Sequence, residues 1–404
     1  MLQYLSLKVI GLAVVSSIFL FGCSTSNIDK RRKESTNDLY TIDVESVIRN
    51  KLYTPLSEVG TDIIYLPLET RNDNLLRKIR KIEITESFIF VSDKRNLLQF
   101  TKNGEFIRQI GKIGKGPGEY ISILNFSVNE KANTIILLGE YRFMKYNLQG
   151  NFIRRITNPI STEFVFYRPD RIAFYHATNI ETNKTNLILT NQDLKVVFKF
   201  QNYNPRPKTN MSLQNAPLYV FENKPYFKEH YNDTLFWVKD SVLIPHIVYN
   251  EKNLLLDHDF EFKYTGKISD IEKQFEKVKN KLLTENIFES KRFVFTSYQK
   301  GCNPRKINYT RILFNKEKNK ITAIKGNAFV NDIDGGPNFY PEKIVNDSKL
   351  VMWLDAFKLK EHVASSAFKS STPKYPEKKK ELEKLANSLK EDDNPVLMLV
   401  KLKE

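Results

Sequence analysis

Two cysteines, five histidines, 15 glycines and 16 prolines are all that this chain of 404 residues contains of the residue types that staple, ligate or break structure. With cysteine only at positions 23 and 302 there is no framework of disulfides, so stability has to come from burial. None of His176, His230, His246, His258 and His362 pairs with another at the i, i+4 spacing of a zinc-binding helix. Glycine and proline are too sparse for a collagen-like or low-complexity chain. What is plentiful is apolar and aromatic material, 41% and 12% of residues. That excludes disorder and allows a large core, in two or three domains or in one all-β domain.

The first 22 residues differ from the rest. One charge, Lys8, precedes the apolar run from Val9 to Phe21, too short for a comfortable membrane span of roughly 20 residues. The run ends in Leu20-Phe21-Gly22-Cys23-Ser24, which resembles a bacterial lipobox. The expectation is a lipoprotein signal peptide over residues 1–22, lipidation at Cys23, a polar tether over 23–40 and a folded domain over 41–404. With Cys23 acylated, Cys302 has no intramolecular partner. Ser24 in second place favours the outer membrane, with the periplasmic or surface face left open.

From Thr61 onward the periodicity is that of short strands. Ile79–Ile84, Phe88–Val91, Leu97–Phe100 and Phe106–Ile110 follow one another, separated by the turns Asp93–Asn96 and Lys102–Gly104. Four adjacent antiparallel strands make one blade of a propeller. An internal repeat supports this: Leu97–Ile110 aligns without gaps with Phe143–Ile156, 46 residues on. Strand-like segments then continue in four further groups. These contain Ala173–Tyr175, Leu187–Leu189 and Val196–Phe198; Leu218–Val220, Thr234–Val238 and Ile247–Tyr249; Phe293–Phe295, Arg311–Phe314 and Ile321–Ile324; and Leu350–Leu354 with Val396–Leu402. Helical spacing interrupts them at Ile268–Leu283 and Glu377–Lys390. The run Ile63–Leu68 has no blade of its own, and nothing remains after Leu402 to supply a fourth strand. Pairing these two ends closes the ring, with Pro67 tolerated on an outer edge.

Five motifs, Ile110–Tyr120, Ile64–Thr70, Tyr231–Leu235, Val330–Gly336 and Asp393–Leu397, are similar to those of the six-bladed β-propeller lipoproteins of Gram-negative bacteria, relatives of NHL-repeat and TolB-like propellers. The resemblance spans nearly all of the chain after the signal. It implies an all-β, six-bladed propeller with an N-terminal strand closing the last blade and two short helical insertions, and an envelope location. It implies no activity.

The glycine-rich stretch Gly111–Gly118 lies between two strands, whereas a phosphate loop opens a helix. It therefore reads as a tight crossover from one blade to the next. The turn Asp332–Gly336 resembles part of a calcium loop without its closing carboxylate, and reads as Asp and Gly satisfying backbone. No metal or cofactor is expected. The net charge of +16 is spread along the chain, with dense runs only at Lys30–Lys33 and Lys378–Lys380. Nucleic acid is not the expected partner of an exported lipoprotein. The first run suits anionic headgroups beside an anchor, and the second a solvated helix face.

The expected function is binding or scaffolding at the mouth of the propeller channel, with a glycan, a peptide or a partner envelope protein as ligand. The alternative is a hydrolase or lyase with its site at that mouth; oligomeric state is not legible. In a propeller, the loop between the two middle strands and the crossover to the next blade open on one face. Glu119, Tyr120 and the turn Asp93–Asn96 are expected there, and from later blades Arg142, His176, His230, Glu289, Arg292 and Asp332.

Overall fold

The computed structural model describes residues 39–140, 142–156, 163–175, 185–201, 217–229, 232–251, 253–255, 268–301, 303 and 308–404. Cys23, His176, His230 and Cys302 lie outside the described residues. The described chain opens with β1 (Tyr40–Asp43), the short helix α1 (Val44–Val47) and β2 (Gly60–Pro67). Blade 1 is β3 (Lys81–Ile84), β4 (Phe88–Ser92), β5 (Leu97–Thr101) and β6 (Phe106–Gln109). The glycine-rich crossover forms a two-residue ladder, β7 (Lys112–Ile113) with β8 (Glu119–Tyr120). Blade 2 is β9 (Ile123–Asn129), β10 (Thr134–Gly139), β11 (Arg142–Tyr146) and β12 (Phe152–Ile156). Blade 3 is β13 (Glu163–Arg168), β14 (Arg171–Tyr175), β15 (Thr185–Asn191) and β16 (Val196–Gln201).

Blade 4 is β17 (Leu218–Phe221), β18 (Lys224–Lys228), β19 (Thr234–Lys239) and β20 (Val242–Asn250), after which comes helix α2 (Ile268–Lys277). Blade 5 is β21 (Leu282–Glu289), β22 (Phe293–Lys300), β23 (Asn308–Asn315) and β24 (Lys320–Ala323). Blade 6 begins with β25 (Lys343–Val345) and β26 (Lys349–Leu354), is interrupted by α3 (Ala356–Ala364), α4 (Ser366–Ser370) and α5 (Pro376–Ser388), and resumes at β27 (Val396–Leu402). Each blade is an antiparallel meander, and the first strands of successive blades touch one another around the centre of the ring.

Central strands are apolar on both faces because each blade is sandwiched between two others. All six residues of β10 are buried, whereas the outer strand β12 is partly or fully exposed throughout. Burial is organised by junction. One apolar cluster joins Phe90 and Leu97 of blade 1 to Phe126 and Ile135 of blade 2, and another joins Ile136 to Phe164 and Ile172 of blade 3. Leu187 meets Phe227, Leu235 meets Ile287, and Phe295 meets Leu350 at the next three junctions. Ile82 and Ile89 of blade 1 meet Leu397 of blade 6, which closes the circle. The helices α3 to α5 have a small core of their own around Leu359, Phe368 and Leu382.

The two ends of the chain pair as the sequence predicts. β2 is the outer strand of blade 6, antiparallel to β27 from Pro67 opposite Val396 to Gly60 opposite Leu402. Pro67, which has no N–H to offer, ends the edge strand. What the sequence did not predict is the course of the residues before it. β1 adds a fifth, parallel strand to blade 4, Tyr40 facing Ile247 and Asp43 facing Asn250. Leu52 then bridges the edge of blade 5, its N–H donating to the Ala323 carbonyl at 2.8 Å and its carbonyl accepting from Lys325 N–H at 2.8 Å. The segment 40–67 is a strap along the outer edges of blades 4, 5 and 6, which would otherwise offer unpaired backbone.

The internal repeat is a structural one. Leu97–Ile110 and Phe143–Ile156 are the third and fourth strands of blades 1 and 2, and both pairs carry a register shift at the equivalent place, Gln99/Phe100 and Lys145/Tyr146. Of the helical segments, α5 lies where predicted, and α2 stops at Lys277 because Leu282 and Leu283 begin the inner strand of blade 5. Helices α3 and α4 were not foreseen.

Candidate functional site

Where the inner strands begin, on the face carrying the crossovers and the middle-strand turns, polar side chains meet across blades. Lys81 and Glu83 flank the buried Ile82 on β3, and the alternation of the strand sends both to the opposite side from that apolar residue. Lys81 Nζ donates to Asn125 Oδ1 of blade 2 at 2.8 Å and lies 3.3 Å from Glu83 Oε1. Glu83 Oε2 in turn is 2.7 Å from Lys343 Nζ of blade 6. Asn125 Nδ2 donates to Glu163 Oε2, the first residue of blade 3, at 3.3 Å. A continuous chain of contacts therefore links blades 6, 1, 2 and 3. Within blade 5, Tyr309 donates to Glu285 at 3.3 Å, and toward blade 6 Arg311, stacked 3.8 Å from the Tyr340 ring centre, lies 3.8 Å from Glu342.

Electrostatics divides these carboxylates into two kinds. Burial pushes the Glu83 carboxyl up, but the ammonium groups of Lys343 and Lys81 more than offset it, and the net shift is downward. Glu163, Glu285 and Glu342 are held above the usual carboxylate range, each chiefly by burial, and Glu285 adds like-charge repulsion to Glu342. Burial depresses Lys343. The mouth is thus lined with interleaved donors and acceptors, one firmly ionised carboxylate, and three that take up a proton more readily.

The residues singled out from the sequence fall elsewhere. Glu119 bends back into the glycine-rich crossover, accepting from Gly116 N–H at 2.8 Å and pairing with Lys112 at 3.3 Å, so its own carboxylate fills the concavity a phosphate would need. The Gly116 amide is the main cause of its lowered pKa. Tyr120 is buried in the junction of blades 1 and 2, its hydroxyl donating to the Ile110 carbonyl at 3.1 Å. Asp332 accepts from Ser57 N–H at 2.9 Å and Ser57 Oγ at 2.6 Å, tying the strap to the connection between blades 5 and 6. Its neighbour Asp334 accepts from the Asn331 side-chain amide at 2.7 Å and from Gly336 N–H at 2.9 Å, the latter being the backbone work expected for that turn. Arg142 is exposed at the start of β11, on the expected face.

Glu289 and Arg292 require a correction. They lie at the turn between the first and second strands of blade 5, and in an antiparallel meander that turn opens on the face opposite to the crossovers. Arg292 there pairs with Glu317 at 2.6 Å and donates to the Glu404 carbonyl at 2.9 Å. Glu289 is fully buried and forms the centre of an ionic hub, accepting from Tyr219 Oη at 2.6 Å and His246 Nε2 at 2.8 Å and pairing with Lys316. Burial raises its pKa, but the bond from His246 and the charge of Lys316 prevail and lower it.

The mouth residues Lys81, Glu83, Asn125, Glu163, Glu285, Glu342 and Lys343 were missed from the sequence. The available signal was charge at the first positions of strands that ought to be the most enclosed of each blade. Among the described residues no group of three or more His, Cys, Asp and Glu is arranged to hold a metal ion.

Six four-stranded meanders closed by an N-terminal latch around a polar mouth define a six-bladed β-propeller. Residues 39–401 match the family described as "Domain of unknown function (DUF4934)", and the chain belongs to that family. The fold is similar to the crystal structure of a Bacteroides fragilis protein inferred to be exported, with 18% identity and a TM-score of 0.65, over 90% of this chain and 99% of the other. Weaker similarity extends to the extracellular domain of a one-component system of B. thetaiotaomicron, at 10% identity and a TM-score of 0.37, over 64% of this chain and 29% of that one. The Neurospora crassa Pan2 WD40 domain matches at 10% identity and a TM-score of 0.35, over 70% and 76% of the two chains. No curated protein matches the chain.

Proposed function

We propose that this protein is an exported, lipid-anchored binding or scaffold module of the cell envelope that holds its ligand at the polar mouth of the ring. The observation that carries the reading is the chain of contacts from Lys343 through Glu83, Lys81 and Asn125 to Glu163. Its charges are paired with one another, so the mouth presents closely spaced donors and acceptors without a strong field of one sign. That suits a ligand rich in hydroxyl or amide groups, a glycan or a peptide, more than a simple ion. A partner envelope protein presenting such a segment fits equally. The apolar run before Cys23 and the likeness to a protein inferred to be exported support the compartment. The anchor reading rests on Cys23 as the only acyl acceptor beside that run, and the outer membrane is its favoured address.

Glycan and peptide arrays probed with the protein test the site. Lys81→Met with Lys343→Met is expected to weaken binding of any captured ligand at least about tenfold, the loss of two charge-assisted bonds. Unchanged binding would move the site away from the mouth. Metabolic labelling with a fatty acid tests the anchor: label that persists in Cys23→Ala would overturn it.

A second reading has one observation in its favour. Glu285 and Glu342 both have raised pKa values and repel one another, the setting in which a carboxyl retains a proton for transfer. A hydrolase or lyase built on this pair loses turnover in Glu285→Gln while keeping affinity; a binding module shows no turnover in either form.

A further inference from the structure

The crossover face over blades 1 and 2 carries a charge pattern that neither the ring nor the mouth uses. Lys78 and Arg80 lie on the segment leading into β3, Lys94 and Arg95 on the turn between β4 and β5, Lys115 in the glycine-rich crossover and Arg142 at the head of β11. All six are exposed, and none has a carboxylate partner among the described residues. Hydrogen bonds knit these segments into one surface: Arg77 N–H donates to Asp93 Oδ2 at 3.1 Å, and Ile123 N–H to the Lys94 carbonyl at 2.7 Å. Four acids on these segments have partners of their own, Asp73 among them, 3.4 Å from Arg71. Asp93 is buried under the Arg95 and Asn96 amides, Glu119 fills its own loop, and Glu140 accepts from Ser122 Oγ at 3.3 Å.

Aliphatic side chains stand among these cations. Leu75, Ile113, Ile121 and Leu124 are 51%, 41%, 55% and 52% exposed. Leaving four large apolar side chains in water on one surface is costly, and such a patch ringed with charge marks an interaction site.

We propose that this face docks onto an anionic lipid surface, the cations meeting headgroup phosphates and the leucines and isoleucines entering the headgroup boundary. Charge complementarity fixes the sign of the partner. The choice of a bilayer over a soluble polyanion rests on the aliphatic residues, which a phosphate or sulfate chain in water has no means of covering. The proposal goes beyond the mouth reading and uses none of its residues, so either can fail alone.

Sedimentation with vesicles tests it, using the chain from Leu39 onward, which forms one compact unit and contains the strap, the latch and all six blades. Without the residues before Leu39, neither acyl chains nor the apolar run contributes to binding. Vesicles of phosphatidylcholine with about 30% phosphatidylglycerol are expected to bind it at least tenfold more tightly than phosphatidylcholine alone, and the preference is expected to fade by about 0.5 M salt. The fourfold variant Lys78→Ala, Arg80→Ala, Lys94→Ala, Arg95→Ala is expected to lose the preference. Ile121→Ser with Leu124→Ser is expected to keep the salt dependence but bind several-fold more weakly. All substituted groups are exposed, and an unchanged melting transition checks that each variant is folded; if the fourfold variant melts early, Arg95→Glu alone replaces it. Equal binding to both vesicle types, or full binding by the charge variant, overturns the proposal. So does tight binding of polyphosphate by a protein that ignores vesicles, which assigns the face to a soluble polyanion.

Discussion

Gly104 and Gly150 occupy the same place in the repeat, at the turn between third and fourth strands, and both have positive φ, 84° and 81°. They are not equally replaceable. A Cβ on Gly104 would lie 2.2 Å from the carbonyl oxygen of Pro67, a backbone atom of the latch strand that has nowhere to go, whereas at Gly150 the nearest atom is a side-chain methyl at 3.3 Å. Gly150→Ala should cost about 1 kcal/mol from the left-handed backbone alone, and Gly104→Ala about 3 kcal/mol because the clash adds to it. Denaturant unfolding of the two variants measures the difference. Glu289 makes a second residue-level case. Removing it as Glu289→Ala leaves Lys316 nearly enclosed without a counter-charge and Tyr219 and His246 without their buried hydrogen-bond partner, at an expected cost of about 3–5 kcal/mol in the same measurement.

Among the elements, the latch and the strap do different work. Deleting residues 61–68 takes the outer strand from blade 6 and with it the hydrogen-bonded latch on β27, and loss of cooperative unfolding with poor solubility is the expected result. A single sharp melt at unchanged temperature would show that the ring closes some other way. Deleting Tyr40–Asp43 uncovers the edge of β20 and takes Ile42 and Tyr40 from the apolar cluster between blades 4 and 5, but it leaves the latch in place, so the ring should stay closed and melt several degrees lower, as differential scanning calorimetry can show. The inner strands explain where reading by pattern fails. The inner strands of blades 2, 3, 5 and 6 were not named from the sequence; in the last three, β13 starts on Glu163, β21 carries Thr284 and Glu285, and β25 is three residues beginning with Lys343. The polar side chains that line the mouth break the apolar alternation by which strands are recognised.

At the scale of the molecule, acid acts on two populations of carboxylates in opposite directions. Glu83 and Glu289 have depressed pKa values in the folded state, so their contribution is complete above the unfolded value of about 4.3 and is lost as pH falls through their folded values. Glu163, Glu285 and Glu342 are raised, so they oppose folding when ionised, and that cost is relieved as pH falls through their folded values. The melting temperature should therefore hold or rise slightly from neutral to mildly acidic pH and then drop below about pH 4. Glu163→Gln should melt slightly higher than the parent at pH 7 and lose that advantage in mild acid. A melt series from pH 3 to 8 on parent and variant checks both statements.

Local sequence by itself determined the strand-rich class, the blade length and the repeat, and with the closure of a ring as a rule added, the pairing of Ile63–Leu68 with Val396–Leu402. Alternation, turn residues and a 46-residue period are properties of neighbours along the chain. Only the tertiary structure decided which polar residues share a place. Whether Glu289 opens with Glu119 or on the opposite face depends on counting strands from the centre of the blade, and blade 5 could not be counted with its inner strand overlooked. Lys343 and Glu83 lie 260 residues apart and meet at 2.7 Å because closure of the ring sets blade 6 beside blade 1. No local pattern encodes that contact, since it follows from the ring as a whole.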